Sequence, residues 1–128
     1  MDFLLDTHTY LWFVSGDNQL PLSVSTKIKN LNQPCCISIA SFWEITIKQQ
    51  IGKLNLDMPL EELFEFAVRN QIEVLDITLD HLLVLSSLDS FHNDPFDRLI
   101  IAQAISEDYT VLTIDGIFEK YPVKQQWK

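Results

Sequence analysis

A parallel β-sheet covered on both faces by helices is the fold this sequence predicts, and three observations carry the prediction. Short apolar runs alternate with helical patterns along the whole chain. The runs are continuously apolar rather than alternating with polar residues, as strands buried on both faces are. Parallel neighbours also need long crossover connections, and the intervening helical segments supply them.

The elements follow in order. "FLLD" reads as a strand that stops at Asp6, and Thr7 to Val14 as the first helix. After the turn signal "SGDNQLP", a second helix is expected from Ser23 to Asn32. "NQP" then leads into the strand "CCISIA", where adjacent Cys35 and Cys36 point to opposite faces; neither a disulfide nor a metal site is expected there, only core thiols. Ser41 to Ile51 and Pro59 to Asn70 read as helices around the turn-rich "IGKLNLDMP". "IEVLDI" is the third strand, followed by helices from Leu79 to Ser87 and from Asp94 to Glu107. "YTVLTID" is the fourth strand, and the tail "YPVKQQWK" adds a short edge strand. With no glycine-rich linker, low-complexity segment or internal repeat, residues 1–128 are expected to form a single domain.

Composition bounds the function. At 128 residues and 47% hydrophobic, the chain can bury one continuous core and is short for two. The longest apolar run, "YLWFV", is far too short to span a membrane, and "MDFLLD" lacks the basic start of a secretory signal. No membrane partner is expected, and the expected location is the cytoplasm. The net charge of −9, from 18 acidic and 9 basic residues, argues against broad electrostatic binding to nucleic acid. A protein of this charge that handles RNA needs something to offset phosphate repulsion, and a bound divalent cation is the economical candidate.

In such a sheet, functional groups gather where strands end and the next loops begin. Four acids have that address: Asp6 at the end of the first strand, Glu44 in the first turn of the helix after the second, Asp97 at the start of the helix before the fourth, and Asp115 at the fourth strand's end. A carboxylate cluster offers hard oxygen ligands suited to Mg²⁺ or Mn²⁺, and metal-assisted phosphodiester hydrolysis is the chemistry it allows. Each acid has a plainer reading. "SFWE" from Ser41 has the capping-box spacing, Asp97 lies where negative charge favours a helix N-terminus, and "DG" at Asp115 is a turn signal. Asp94, before Pro95, reads as the helix cap itself. Asp6 is hardest to explain structurally, because a charge closing an apolar strand must face solvent or a partner.

Other candidates carry less. His8, His81 and His92 lack zinc-ligand spacing, and the three glycines form no phosphate-cradling loop. Arg98 suits a phosphate or a neighbouring carboxylate equally. Trp12, Phe13 and Trp43 offer stacking faces for bases, although at these spacings such aromatics are more often core or interface.

Taken together, "LLDTHTYLW", "SIASFWEITIK", "HNDPFDRLIIAQA" and "VLTIDGIF" strongly resemble PIN-domain toxins of the VapC kind, in order and over almost the whole chain. The resemblance implies a three-layer α/β/α sandwich around a parallel sheet and a Mg²⁺- or Mn²⁺-dependent ribonuclease activity. It places the family's four acids on Asp6, Glu44, Asp97 and Asp115, with Thr113 at the usual polar position two residues before the last. It also implies RNA as substrate, a cognate antitoxin as partner, and a homodimer. Two rival classes remain. A phosphatase of the haloacid dehalogenase kind also ends its first strand on an aspartate, but wants another two residues on, where this chain has His8. A non-catalytic interaction module would use its carboxylates only as caps.

Overall fold

The structure, a computed structural model, describes residues 2–128. Its elements are β1 (Phe3–Leu5), α1 (Thr7–Ser15), α2 (Leu22–Lys29), β2 (Cys35–Ser38), α3 (Ile39–Gln50), α4 (Leu60–Arg69), β3 (Glu73–Leu75), α5 (Leu79–Ser86), α6 (Pro95–Glu107), β4 (Thr110–Leu112), a 3₁₀ turn (Gly116–Lys120) and β5 (Lys124–Gln126). The five strands form one sheet in the order β3-β2-β1-β4-β5, and every pairing is parallel. The expected parallel α/β architecture is therefore present, with the tail as the β5 edge strand.

Strand alternation sorts the core into two layers. Phe3, Leu5, Cys35, Ile37 and Leu112 face α1 to α4, where Tyr10, Val24, Ile45 and Leu63 meet them. Leu4, Cys36 and Val111 face the other way, toward Ile100, Ile101 and Ala104 of α6 and Phe118 of the 3₁₀ turn. Fully burying one such aliphatic side chain contributes roughly 1.5–3 kcal/mol, so three- and four-residue strands suffice here. The two cysteines lie on opposite faces and are free, and burial pushes both thiols above their ordinary pKa.

Several boundaries differ from expectation. The second strand stops at Ser38 because the Ser38 hydroxyl accepts from the Ala40 N–H and opens α3 there. Ile39 and Ala40, read from sequence as strand, are the first residues of that helix. Helix α2 ends at Lys29, where the Asn30 side chain accepts from the Asn32 N–H and starts a turn instead.

The strand order fixes where a site can form. The chain runs outward from β1 to β2 and β3, then returns to place β4 on the other side of β1. The winding order of the sheet reverses between the parallel neighbours β1 and β4, and beyond the carboxyl ends of those two strands such sheets open a crevice.

Candidate active site

Asp6 emerges from β1 at this switch point and caps α1, its Oδ1 accepting from the Thr9 N–H at 2.9 Å. Its other oxygen, Oδ2, accepts from the hydroxyl of Thr113, the residue that follows β4. Thr113 Oγ1 in turn accepts from the Asp115 N–H at 3.0 Å. One hydroxyl thus ties the two acids of neighbouring strands together. The edge strand supports the same segment: Thr113 N–H donates to Gln126 O, and Gln125 Nε2 donates to the carbonyls of Thr113 and Asp115. Asp6 is buried, which pushes its carboxyl above the usual range even though the Thr113 and Thr9 hydrogen bonds pull it back.

Glu44 does not sit where the sequence suggested. Because α3 starts at Ile39, Glu44 lies in the second turn, and the capping-box reading of "SFWE" fails. Its partners come from elsewhere. Oε1 accepts from Thr7 Oγ1 at 2.7 Å and Oε2 from Lys48 Nζ at 2.8 Å, one helical turn on. Ser41 and Thr7 share a hydroxyl–hydroxyl bond of 2.9 Å. A carboxylate only accepts, so the Thr7 proton goes to Glu44 and Ser41 donates to Thr7. A buried glutamate is thereby locked toward α1.

Asp97 and Asp94 separate cleanly. Asp94 is the cap of α6, its Oδ1 accepting from the N–H groups of Phe96 and Asp97 at 2.9 and 3.1 Å. Asp97 is left without a hydrogen bond to its carboxylate among the described residues; the group in range is His92 Nε2, at 3.5 Å. Its carboxyl is pushed up to about 7, first by burial and then by the negative charges of Asp94, Glu44, Asp6 and Asp115. All four sequence-predicted acids therefore share one electrostatic field at the carboxyl end of the sheet. Asp115 also serves as a cap, its Oδ1 accepting from the Ile117 N–H at 3.0 Å, so the turn reading and the site reading coexist there.

Among the described residues, no three His, Cys, Asp or Glu side chains stand close enough together to hold a metal ion as they are placed here. The donor chemistry still fits one kind of ion. The four acids offer only carboxylate oxygens, and Mg²⁺ is commonly held through one or two carboxylates while keeping several waters. The mutual repulsion that raises Asp97 is what a divalent cation relieves.

The remaining candidates resolve as follows. Arg98 pairs with no carboxylate among the described residues; it donates to the carbonyls of Asp89 and Leu88 and to the Tyr121 hydroxyl, bracing the loop before α6. Trp43, next to Glu44, is 56% exposed and meets Phe96, next to Asp97, edge to face at 5.0 Å. Trp12 and Phe13 are half-buried against Trp127 and Phe66 instead. Sequence reasoning missed Thr7, Ser41, Lys48 and His92. For the histidine the sequence does hold a signal, its place five residues before Asp97 in "HNDPFD".

Comparison with known proteins bears on the family and the fold. The sequence model of the family described as PIN domain matches residues 3–124. The chain is similar to Ribonuclease VapC22 of Mycobacterium tuberculosis, 25% identical over 113 residues that cover 88% of this chain and 85% of that protein. In fold it is similar to a chain of VapBC2 from Rickettsia felis bound to a promoter DNA fragment (TM-score 0.74, 18% identity, 100% of this chain and 99% of that one). It is also similar to a chain of DNA-bound VapBC from Salmonella typhimurium (TM-score 0.73, 20% identity, 98% and 97% covered).

Proposed function

Because the chain belongs to the PIN-domain family, we propose that it is a Mg²⁺- or Mn²⁺-dependent endoribonuclease, the toxin of a toxin–antitoxin pair, and that Asp6, Glu44, Asp97 and Asp115 form its catalytic, metal-holding site. The observation that carries this reading is Asp97: a carboxylate without a hydrogen bond, raised to about 7 by burial and by four acidic neighbours, three of them the other candidates. Perturbed groups of this kind cluster at functional sites. The similarity to a protein named a ribonuclease points the same way.

When bound, the cation supplies positive charge for the scissile phosphate and acidifies a coordinated water. The chain's own residues do the rest. Thr113 and the Thr9 N–H fix Asp6, and Thr7 and Lys48 fix Glu44, so these two hold their oxygens rigidly. The carboxylates also help take a proton from the attacking water, and Asp97, the acid not pinned in this structure, is the one free to turn toward the ion. Exposed Trp43 beside the site offers a face on which an unpaired base stacks, which a chain of charge −9 needs in place of a basic track.

The partners follow from surface and resemblance. The structural neighbours are VapBC complexes, and an apolar groove of about 410 Å³ between α3 and α4, lined by Ile39, Phe42, Leu60 and Phe64 with Glu61 and Glu65 at its rim, suits an amphipathic antitoxin helix with basic edges. Leu79, Leu82 and Leu83 form an exposed strip on α5 available for homodimer formation. Among the described residues, no helix is long and apolar enough to cross a membrane; cytoplasmic action on cellular RNA is the setting proposed. Purified protein incubated with RNA should cut it internally with Mg²⁺ or Mn²⁺ and stop on chelation. Undiminished cutting in excess chelator would overturn the assignment.

A further inference from the structure

His92 lies outside the acidic set, yet its protonation pattern is fixed by its neighbours. The Tyr121 hydroxyl is the pivot. It receives the Phe91 N–H at 3.2 Å and Arg98 Nη1 at 3.3 Å, and stands 2.7 Å from His92 Nδ1. A hydroxyl accepts two bonds and donates one. Two N–H donors therefore fill the acceptor positions of the Tyr121 oxygen, and its single proton must go to His92 Nδ1. A neutral imidazole that accepts at Nδ1 carries its proton on Nε2. That Nε2 is buried and has no hydrogen-bond partner, and it faces Asp97 Oδ2 at 3.5 Å.

A buried N–H without a partner is costly to keep, and this one stands beside the one unpinned acid. We propose that His92 is a positioning residue for Asp97: the chain Arg98–Tyr121–His92 holds the imidazole as the Nε2–H tautomer, and this N–H clamps Asp97 Oδ2 when Asp97 turns to a divalent cation. The inference rests on the metal-dependent reading of the site. It gives Asp97 the fixed orientation that Thr113 gives Asp6 and Thr7 gives Glu44. It also assigns Arg98 a role through Tyr121 rather than on RNA. Groups of this kind, donating to a metal-holding side chain from behind, are worth about tenfold to a hundredfold in metal affinity or activity.

The test uses the full chain, with Mn²⁺ as the probe. Imidazole ¹⁵N spectra of the metal-free protein, assigned by comparison with His92→Gln, should show His92 as the Nε2–H tautomer. Tyr121→Phe keeps the ring, removes the proton donor and should produce the other tautomer as well. Mn²⁺ titration of wild type, His92→Gln, His92→Ala and Tyr121→Phe then reads the consequence. His92→Ala should weaken Mn²⁺ binding about tenfold or more, whereas His92→Gln, which can present an N–H near the Nε2 position, should recover most of it. Tyr121→Phe should fall between the two and guards against misfolding of the alanine variant. An Nδ1–H tautomer in the wild type, or Mn²⁺ affinity unchanged in both His92→Ala and Tyr121→Phe, would overturn the proposal while leaving the nuclease reading intact. A wild type that binds no Mn²⁺ at all would overturn both.

Discussion

Asp97 is where structural and chemical demands part company. A carboxylate in the first turn of α6 gains from the helix dipole about 0.3–1 kcal/mol. Burial and like charge work against it and lift its carboxyl to about 7. The sign of the pH effect follows. The folded state holds this proton up to about 7 whereas the unfolded chain releases it near 4, so the folded form binds more protons throughout that window. Stability of the metal-free protein should therefore fall as pH rises from about 4 to about 7, by at most about 4 kcal/mol from this group. Asp97→Asn should remove most of that slope and melt higher than wild type at pH 8, as denaturation at a series of pH values will show. Lower melting of the variant at pH 8 would return Asp97 to the role of a helix-end charge. A second prediction concerns Thr113. Thr113→Val keeps the shape but strips the Asp6 Oδ2 donor and the Asp115 N–H acceptor, and should cost about 1–3 kcal/mol. Its RNA cleavage should also drop, because both acids lose their common anchor. A Thr113→Ser variant that restores both stability and cleavage would tie the loss to the hydroxyl.

At the scale of elements, the sequence is most legible where an apolar run ends in a charge. Asp6 directly after "FLL" is readable because a buried strand cannot continue through a carboxylate, whereas β4 stops at Leu112, three residues before the Asp115 expected to end it. Asp94 and Pro95 likewise announce the start of α6 by local chemistry alone, and the cap forms as expected. Asp94→Ala should therefore cost about 1 kcal/mol, and Asp94→Asn only a few tenths, in thermal or chemical denaturation. The asparagine should also lower the Asp97 carboxyl, since Asp94 heads the charges that raise it. What the sequence conceals is long-range. Glu44 is held by Thr7, 37 positions away, and His92 by Tyr121, 29 positions away. Neither pairing has a period or a motif, because each depends on how α1 meets α3 and how the loop before α6 meets the chain after the 3₁₀ turn. The displaced start of α3 has the same origin in miniature: Ser38 and Ser41 both look like caps, and the sheet register decides in favour of Ser38.

For the whole molecule, charge and topology point to one end of the sheet. The reversal between β1 and β4 brings acids from distant parts of the chain into a single field, in a protein whose net charge of −9 already repels phosphate. On this account a divalent cation both completes the site and offsets that repulsion. Expression of the chain alone should slow cell growth, and co-expression of the cognate antitoxin should relieve it; normal growth beside soluble, RNA-cutting protein would remove the toxin role and leave the nuclease. The most direct measurement is the melting of wild type and of the amide variants Asp6→Asn, Glu44→Gln, Asp97→Asn and Asp115→Asn with and without Mg²⁺. At a hundred times its dissociation constant the ion should stabilise the wild type by about 2.7 kcal/mol, and the same concentration should stabilise each variant much less. A wild type that does not respond to Mg²⁺, or four variants that keep the full shift, would contradict the claim that these carboxylates together hold a catalytic cation.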